Sequence, residues 1–293
     1  MRRIVVLGDI VVDVIAVLSG PVAPGSDSPA QIRYAAGGAG ANVAAWLAAL
    51  DVPVSLVGRV GADDAGRRCV RELADAGVEV AVVVDTEATT GTVIALVDPD
   101  GERSMVPDRG ANLLLCATDI DERLFGPGAH LHLSGYPLLD SGSRSAAVHV
   151  LGLARGAGMT ISVDPASAAP LRVLGAERFL ALTEGADLLL PNRAEAEVLT
   201  GHSDPMSAAR RLGSRYAAVV VTCGADGAVW AAGGDMGRLP AEAARVVDTT
   251  GAGDAFAAGL LEAFVTERPL AACVAAGTRL AARAVGVIGA QPR

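Results

Sequence analysis

The chain has 293 residues, 51% of them hydrophobic, with a formal net charge of −9 and 24 basic residues, every one an arginine. That apolar content can bury a large core and argues against disorder, while the absence of lysine excludes a P-loop lysine, a protein-kinase strand lysine and Schiff-base catalysis. An acidic balance without a basic cluster argues against nucleic acid as a partner.

In chain order, the first apolar run is Ile4–Leu7, cut off by Gly8 and Asp9. So short a run supports neither a signal peptide nor a membrane span, and a cytoplasmic protein with no membrane partner is expected. Residues 13–17 and 32–35 read as a strand pair around a Pro/Gly/Ser/Asp loop at 20–29. A helix at 43–50, a strand at 54–57, a helix at 66–76 and a strand at 81–84 follow. A second strand pair, 91–97 with 102–106, turns through Asp98-Pro99-Asp100-Gly101. Apolar strands at 131–133, 161–163, 188–190 and 219–221 then alternate with helices at 145–153, 194–199 and 207–212, and helices at 255–264 and 270–284 close the chain.

Continuous rather than alternating apolar strands, separated by helices, imply a mainly parallel sheet covered on both faces, a three-layer α/β core. The two strand pairs lack helices and are expected to form a small β-lid, with segments 13–35 and 91–106 inserted in one domain spanning 1–293. Cys69, Cys116, Cys223 and Cys273 show no CxxC spacing and read as reduced thiols. His130 and His132 alternate on one strand face, but no third ligand is spaced to join them, so they read as strand histidines.

Chemistry concentrates in Asp248-Thr249-Thr250-Gly251-Ala252-Gly253-Asp254, a small-residue turn entering an apolar helix. Backbone N–H groups of Gly251, Ala252 and Gly253 can converge there on an anion. Asp254, in the first helical turn, is placed either to accept a hydroxyl proton or to cap the helix. Ala36-Gly37-Gly38-Ala39-Gly40-Ala41-Asn42 enters another helix through glycines, with Asn42 either an N-cap or a polyol-binding amide. The third glycine of a dinucleotide fingerprint is missing, and Leu7-Gly8-Asp9-Ile10 supplies one glycine, which argues against an NAD-dependent dehydrogenase.

These two segments resemble the two signatures of the PfkB family of carbohydrate kinases, whose fold is ribokinase-like. The resemblance extends over nearly the whole chain, through Gly8-Asp9 with Asp13, Arg109-Gly110-Ala111-Asn112, Asn192-Arg193-Ala194-Glu195, Val221 to Gly227 and Gly289 to Pro292. It departs at Ala39, where ribokinases often carry lysine. The resemblance implies an ATP-dependent kinase with Asp254 as base and Gly251, Ala252 and Gly253 as anion hole. Asp13, Gly38 and Asn42 would bind substrate; Asn192, Thr222, Gly224 and Gly227 would line the nucleotide. Glu195 would hold Mg2+ through water, and Asp248 with the Thr250 carbonyl stand where some members bind K+.

A site without lysine must draw positive charge from magnesium, a helix N-terminus and arginines, and Arg109 is a candidate substrate or phosphate contact. Aromatic residues make up 3% of the chain, and a nucleoside acceptor needs a stacking partner, for which Tyr34, Trp46 and Tyr136 are the candidates. A pentose or hexose acceptor is therefore favoured. The alternatives are a nucleoside, a 2-keto-3-deoxy sugar acid facing Arg109, or a non-catalytic nucleotide-binding regulator. A homodimer through the lid is expected, because small antiparallel lids expose an edge and an apolar face.

Overall fold

The computed structural model describes residues 2–99 and 103–292. The chain opens with β1 (Ile4–Leu7), β2 (Val11–Leu18), β3 (Ala30–Gly37), α1 (Ala39–Ala48), β4 (Val54–Gly61), α2 (Asp64–Asp75), β5 (Glu79–Asp85), β6 (Gly91–Val97) and β7 (Arg103–Asp108). After short 3-10 turns come β8 (His130–Ser134), α3 (Tyr136–Leu139), α4 (Arg144–Gly156), β9 (Thr160–Asp164), α5 (Ala168–Leu174), α6 (Ala176–Leu182) and β10 (Leu188–Leu189). The last part holds α7 (Arg193–Thr200), α8 (Pro205–Leu212), β11 (Ala218–Thr222), β12 (Ala228–Ala232), β13 (Asp235–Leu239), α9 (Ala252–Val265) and α10 (Leu270–Ala284).

Nine strands form one sheet in the order β13-β12-β11-β10-β9-β8-β1-β4-β5. From β11 to β5 every neighbouring pair is parallel, and the hairpin β12–β13 closes one edge antiparallel. Successive side chains point to opposite faces of a strand. Ile4 and Val6 accordingly join the core under α1, α2, α9 and α10, while Val5 and Leu7 join the core under α4, α6, α7 and α8. Both faces are covered, which is why β1 is an uninterrupted apolar run with every residue buried. Among the described residues, no helix is long and apolar enough to cross a membrane.

The two expected strand pairs merge into one lid sheet ordered β3-β2-β6-β7, joined by parallel pairing of β2 with β6. Asp100 and Gly101 of the expected turn, and Glu102 at the start of the expected fourth strand, lie outside the described residues. His130 and His132 are buried and committed to neighbouring hydroxyls. The His130 ring lies 2.8 Å from both Thr160 Oγ1 and Ser162 Oγ, and His132 Nδ1 lies 2.9 Å from Ser162 Oγ. Burial holds both imidazoles well below their usual pKa, so they are neutral strand residues. No group of three or more His, Cys, Asp or Glu that could hold a metal occurs among the described residues, and all four cysteines are free.

Candidate active site

The carboxyl ends of the parallel strands gather Asp9 after β1, Asp164 ending β9, Asn192 after β10 and Thr222 ending β11. This edge is where open α/β sheets bind ligands. Helix α1 reaches it because two glycines touch: a Cβ on Gly8 would lie 2.6 Å from the Gly40 Cα. Gly38 is the N-cap of α1 and accepts from the Asn42 N–H at 2.8 Å. Asn42 is buried and its amide meets the start of α9, with Nδ2 donating to Asp254 Oδ2 at 2.8 Å. Its Oδ1 accepts from Gln291 Nε2 at 3.2 Å, and Trp46 Nε1 donates to the Ala290 carbonyl at 2.9 Å. The C-terminal tract thereby braces both glycine-entered helices.

The loop before α9 is held by Asp248, whose carboxylate accepts from the backbone N–H of Thr250 at 2.8 Å and of Gly289 at 3.0 Å. Gly251 is the N-cap of α9 with φ 72°, and a Cβ there would lie 2.7 Å from Ala290. A Cβ on Gly253 would meet nothing within 4 Å, so the chain itself places no steric demand on that position. No side chain caps α9, which disposes of the helix-cap alternative for Asp254. Burial, reinforced by Asp164, Asp9 and Asp13, holds the Asp254 carboxyl well above the usual range despite the Asn42 hydrogen bond.

Asp13 is buried on β2 and pushed up to about 6 by burial and by the charges of Asp9 and Asp248. The predicted Arg109 does reach the site, yet its guanidinium is engaged. It donates to Asp9 Oδ2 at 2.9 Å and lies 3.5 Å from the Tyr136 ring centre. The sequence places Asp9 in the segment resembling the family's N-terminal motif and Tyr136 among the candidate stacking partners, but gives neither a role beside Arg109.

On the opposite side, Asn192 and Thr222 are bridged across adjacent strand ends. Asn192 and Glu195 form a capping box: Asn192 Oδ1 accepts from the Glu195 N–H at 3.0 Å, and Glu195 Oε2 accepts from the Asn192 N–H at 2.8 Å. Glu195 is 2% exposed, and burial, then Asp164, push its carboxyl up to about 8. Asp164, missed from the sequence, is pushed up by its own burial. The buried Glu195, whose charge Asp164 disfavours, and the half-buried Asp164 supply hard oxygen donors, which fits a magnesium ion, although each Glu195 oxygen also accepts from Asn192. In the loop after β11, a Cβ on Gly224 would meet nothing within 4 Å. At Gly227 a Cβ would lie 2.0 Å from the Leu239 carbonyl oxygen, so β13 alone accounts for glycine there.

The chain matches the profile of the pfkB family carbohydrate kinases over residues 1–293. It is 35% identical over 250 residues to the ATP-dependent ribose-1-phosphate kinase of Halopiger xanaduensis, covering 84% of this chain and 79% of that one. A fructokinase of Klebsiella pneumoniae is 34% identical over 270 residues, 88% of this chain and 83% of its own. Among solved structures, the Vibrio cholerae fructokinase double mutant, with fructose, ADP and potassium ion bound, superposes with a TM-score of 0.85 at 27% identity. That match covers 99% of this chain and 94% of the other. A putative ribokinase II from E. coli in complex with ATP and Mg2+ shares the fold, with a TM-score of 0.86, 22% identity and the same coverage. A family match over the whole chain and a nine-stranded core with a four-stranded lid lead to one conclusion: the chain belongs to the pfkB carbohydrate kinases of ribokinase-like fold, ATP-dependent phosphotransferases acting on a sugar hydroxyl.

Proposed function

We propose that this kinase moves the γ-phosphoryl group of ATP to a hydroxyl of a small pentose or hexose, with Asp254 as the base. The observation that carries the reading is Asp254 itself, a carboxylate in the first turn of α9 that caps no helix. It is oriented by Asn42 Nδ2 and stands beside a glycine the chain does not need. Asp254 takes the proton of the attacking hydroxyl, and the N–H groups of Gly251, Ala252 and Gly253 face the charge on the phosphoryl oxygens. Asp13, Gly38 and Asn42 stand on the acceptor side, the last chiefly as the group that positions the base. Asn192, Thr222 and Gly224 stand on the nucleotide side.

Glu195 and Asp164 would hold magnesium, which when bound neutralises phosphate charge. For potassium, the Asp248 carboxylate and the Thr250 carbonyl would be the donors, each Asp248 oxygen already accepting one backbone N–H bond, and no step is derived through that ion.

The nucleoside alternative loses its stacking partners. Arg109 occupies the Tyr136 face, Trp46 is buried and bonded to Ala290, and Tyr34 belongs to the lid face opposite Asp13. A non-catalytic regulator would not need an intact base and nest. Asp254→Asn keeps shape but cannot accept the proton, and it should lower turnover of ATP with fructose or ribose by about two orders of magnitude or more. ADP release at near wild-type rate from folded Asp254→Asn would defeat the assignment.

The lid supports a homodimer as part of this reading. Tyr34, Val14, Ile94 and Val106 stand opposite one another across all four lid strands. Tyr34, Ile94 and Val106 are 63%, 41% and 56% exposed. A continuous apolar row of that kind is an interaction face. Sedimentation at micromolar concentration should give a dimer, and Tyr34→Asp should give a monomer; a wild-type monomer would remove the claim.

A further inference from the structure

The acceptor side of the site is crowded with negative charge. Asp9 and Asp13 act on Asp254, and Asp13 also feels Asp248. The positive group placed against this cluster is Arg109, and the structure fixes it from three directions. Its Nη1 lies 2.9 Å from Asp9 Oδ2, with the two side chains 18% and 5% exposed. Its guanidinium carbon lies over the Tyr136 ring, 3.5 Å from the ring centre. Its backbone is set by Asn112, whose amide accepts from the Ile10 N–H at 2.9 Å and donates to the carbonyls of Ile10 at 2.8 Å and Arg109 at 2.9 Å. Behind the pair lies a cavity of about 10 Å³, lined among others by Asp9, Arg109, Asn112, Tyr136 and Ser143. That space is on the scale of one water and leaves the arginine little room to swing back.

We infer, resting on the sugar-kinase reading above, that Asp9, Arg109 and Tyr136 form a charge filter that reserves the acceptor pocket for an uncharged sugar. A carboxylate or phosphate on the acceptor must share a guanidinium whose Nη1 already donates to Asp9 Oδ2, which brings it against the buried Asp9 carboxylate; pairing with Arg109 alone requires displacing Asp9 and strands that charge. Left unpaired, the anion faces Asp13 and Asp254 across the pocket. Both routes act against anionic acceptors, and specificity arises from that penalty as much as from hydrogen bonds to the sugar. Tyr136 is a positioning residue here, since its ring fixes the plane in which Arg109 meets Asp9.

The test is a steady-state comparison of neutral acceptors, fructose and ribose, with anionic ones, ribose 1-phosphate and 2-dehydro-3-deoxygluconate. The wild-type protein should favour the better neutral sugar in kcat/KM by about tenfold or more. Asp9→Asn keeps the side-chain shape but frees the guanidinium, and should move the anionic-to-neutral ratio upward by about tenfold or more, chiefly through KM of the anionic acceptor. Tyr136→Leu should move the ratio the same way if Asp9→Asn proves unstable. Wild-type preference for an anionic acceptor, or an unchanged ratio in a folded variant, would overturn the filter and leave the kinase reading standing. Absence of turnover with all four sugars would instead overturn the reading on which the filter rests.

Discussion

The pairing of Asn42 with Asp254 decides how readily the proposed base ionises. A desolvated carboxyl surrounded by other acids resists ionisation, yet a base must be ionised to take a proton. Asn42 Nδ2 opposes that resistance by donating to Oδ2 at 2.8 Å. Removing the donor should raise the Asp254 carboxyl further, so the rising limb of kcat against pH should move to higher pH in Asn42→Ala. An unchanged limb in a folded Asn42→Ala protein would show that the amide does not tune the base. The sequence identified both residues but assigned Asn42 to sugar hydroxyls. Residues 42 and 254 are 212 positions apart, and the contact depends on Gly8 and Gly40 letting α1 descend to the level of α9, which no local pattern encodes.

At the scale of elements, the start of α9 separates two kinds of glycine. Gly251 is required by the fold, because φ is 72° and a Cβ would press on Ala290. Gly253 is not, because a Cβ there meets nothing within 4 Å. Gly251→Ala should therefore lower both stability and activity. Gly253→Ala should keep or slightly raise the melting temperature, as Ala favours a helix over Gly by about 1 kcal/mol, while kcat falls by about tenfold or more because the methyl group intrudes where the phosphoryl group approaches. A fully active Gly253→Ala enzyme would remove the anion hole from this loop. Legibility followed the same division. The long helices α1, α2, α4, α9 and α10 and the buried strands were readable from continuous apolar runs and helical spacing. The hairpin β12–β13 was not, because Ala228–Ala232 and Asp235–Leu239 are five residues each, the first mostly alanine and the second of mixed polarity, and need the edge of the sheet to define them. The short helices α3, α5 and α6 span four to seven residues, too few for a periodic signal. The lid pairs were legible, but not the parallel contact of β2 with β6 that fuses them, since it joins strands 80 residues apart in register, Val11 to Gly91.

For the molecule as a whole, the buried Glu195 carboxyl ties stability to pH and, on the proposed metal assignment, to magnesium. Glu195 titrates near its ordinary value of 4.5 when unfolded and is pushed up to about 8 when folded, so its stabilisation is fully present below the unfolded value and is lost as pH rises toward 8. His130 and His132 act in the other direction: held neutral by burial, they cost stability as pH falls below about 6.5. Glu195→Gln leaves the histidine contribution untouched and keeps an oxygen for the Asn192 N–H; it puts a donor where Oε1 accepts from Asn192 Nδ2, as protonation of Glu195 also does, so the difference between variant and wild type isolates the Glu195 charge. In metal-free buffer the two proteins should melt together at pH 5. The variant should then gain on the wild type between pH 6 and 8, reaching about 3 °C or more. Magnesium should close that gap at pH 8, because a cation bound to the native state stabilises the charged carboxylate of the wild type and finds a poorer site in the variant. Calorimetry with and without chelator checks both arms. A Glu195→Gln protein uniformly less stable at every pH, and indifferent to magnesium in the same degree as the wild type, would mean that Glu195 serves α7 as an ionised cap and nothing more.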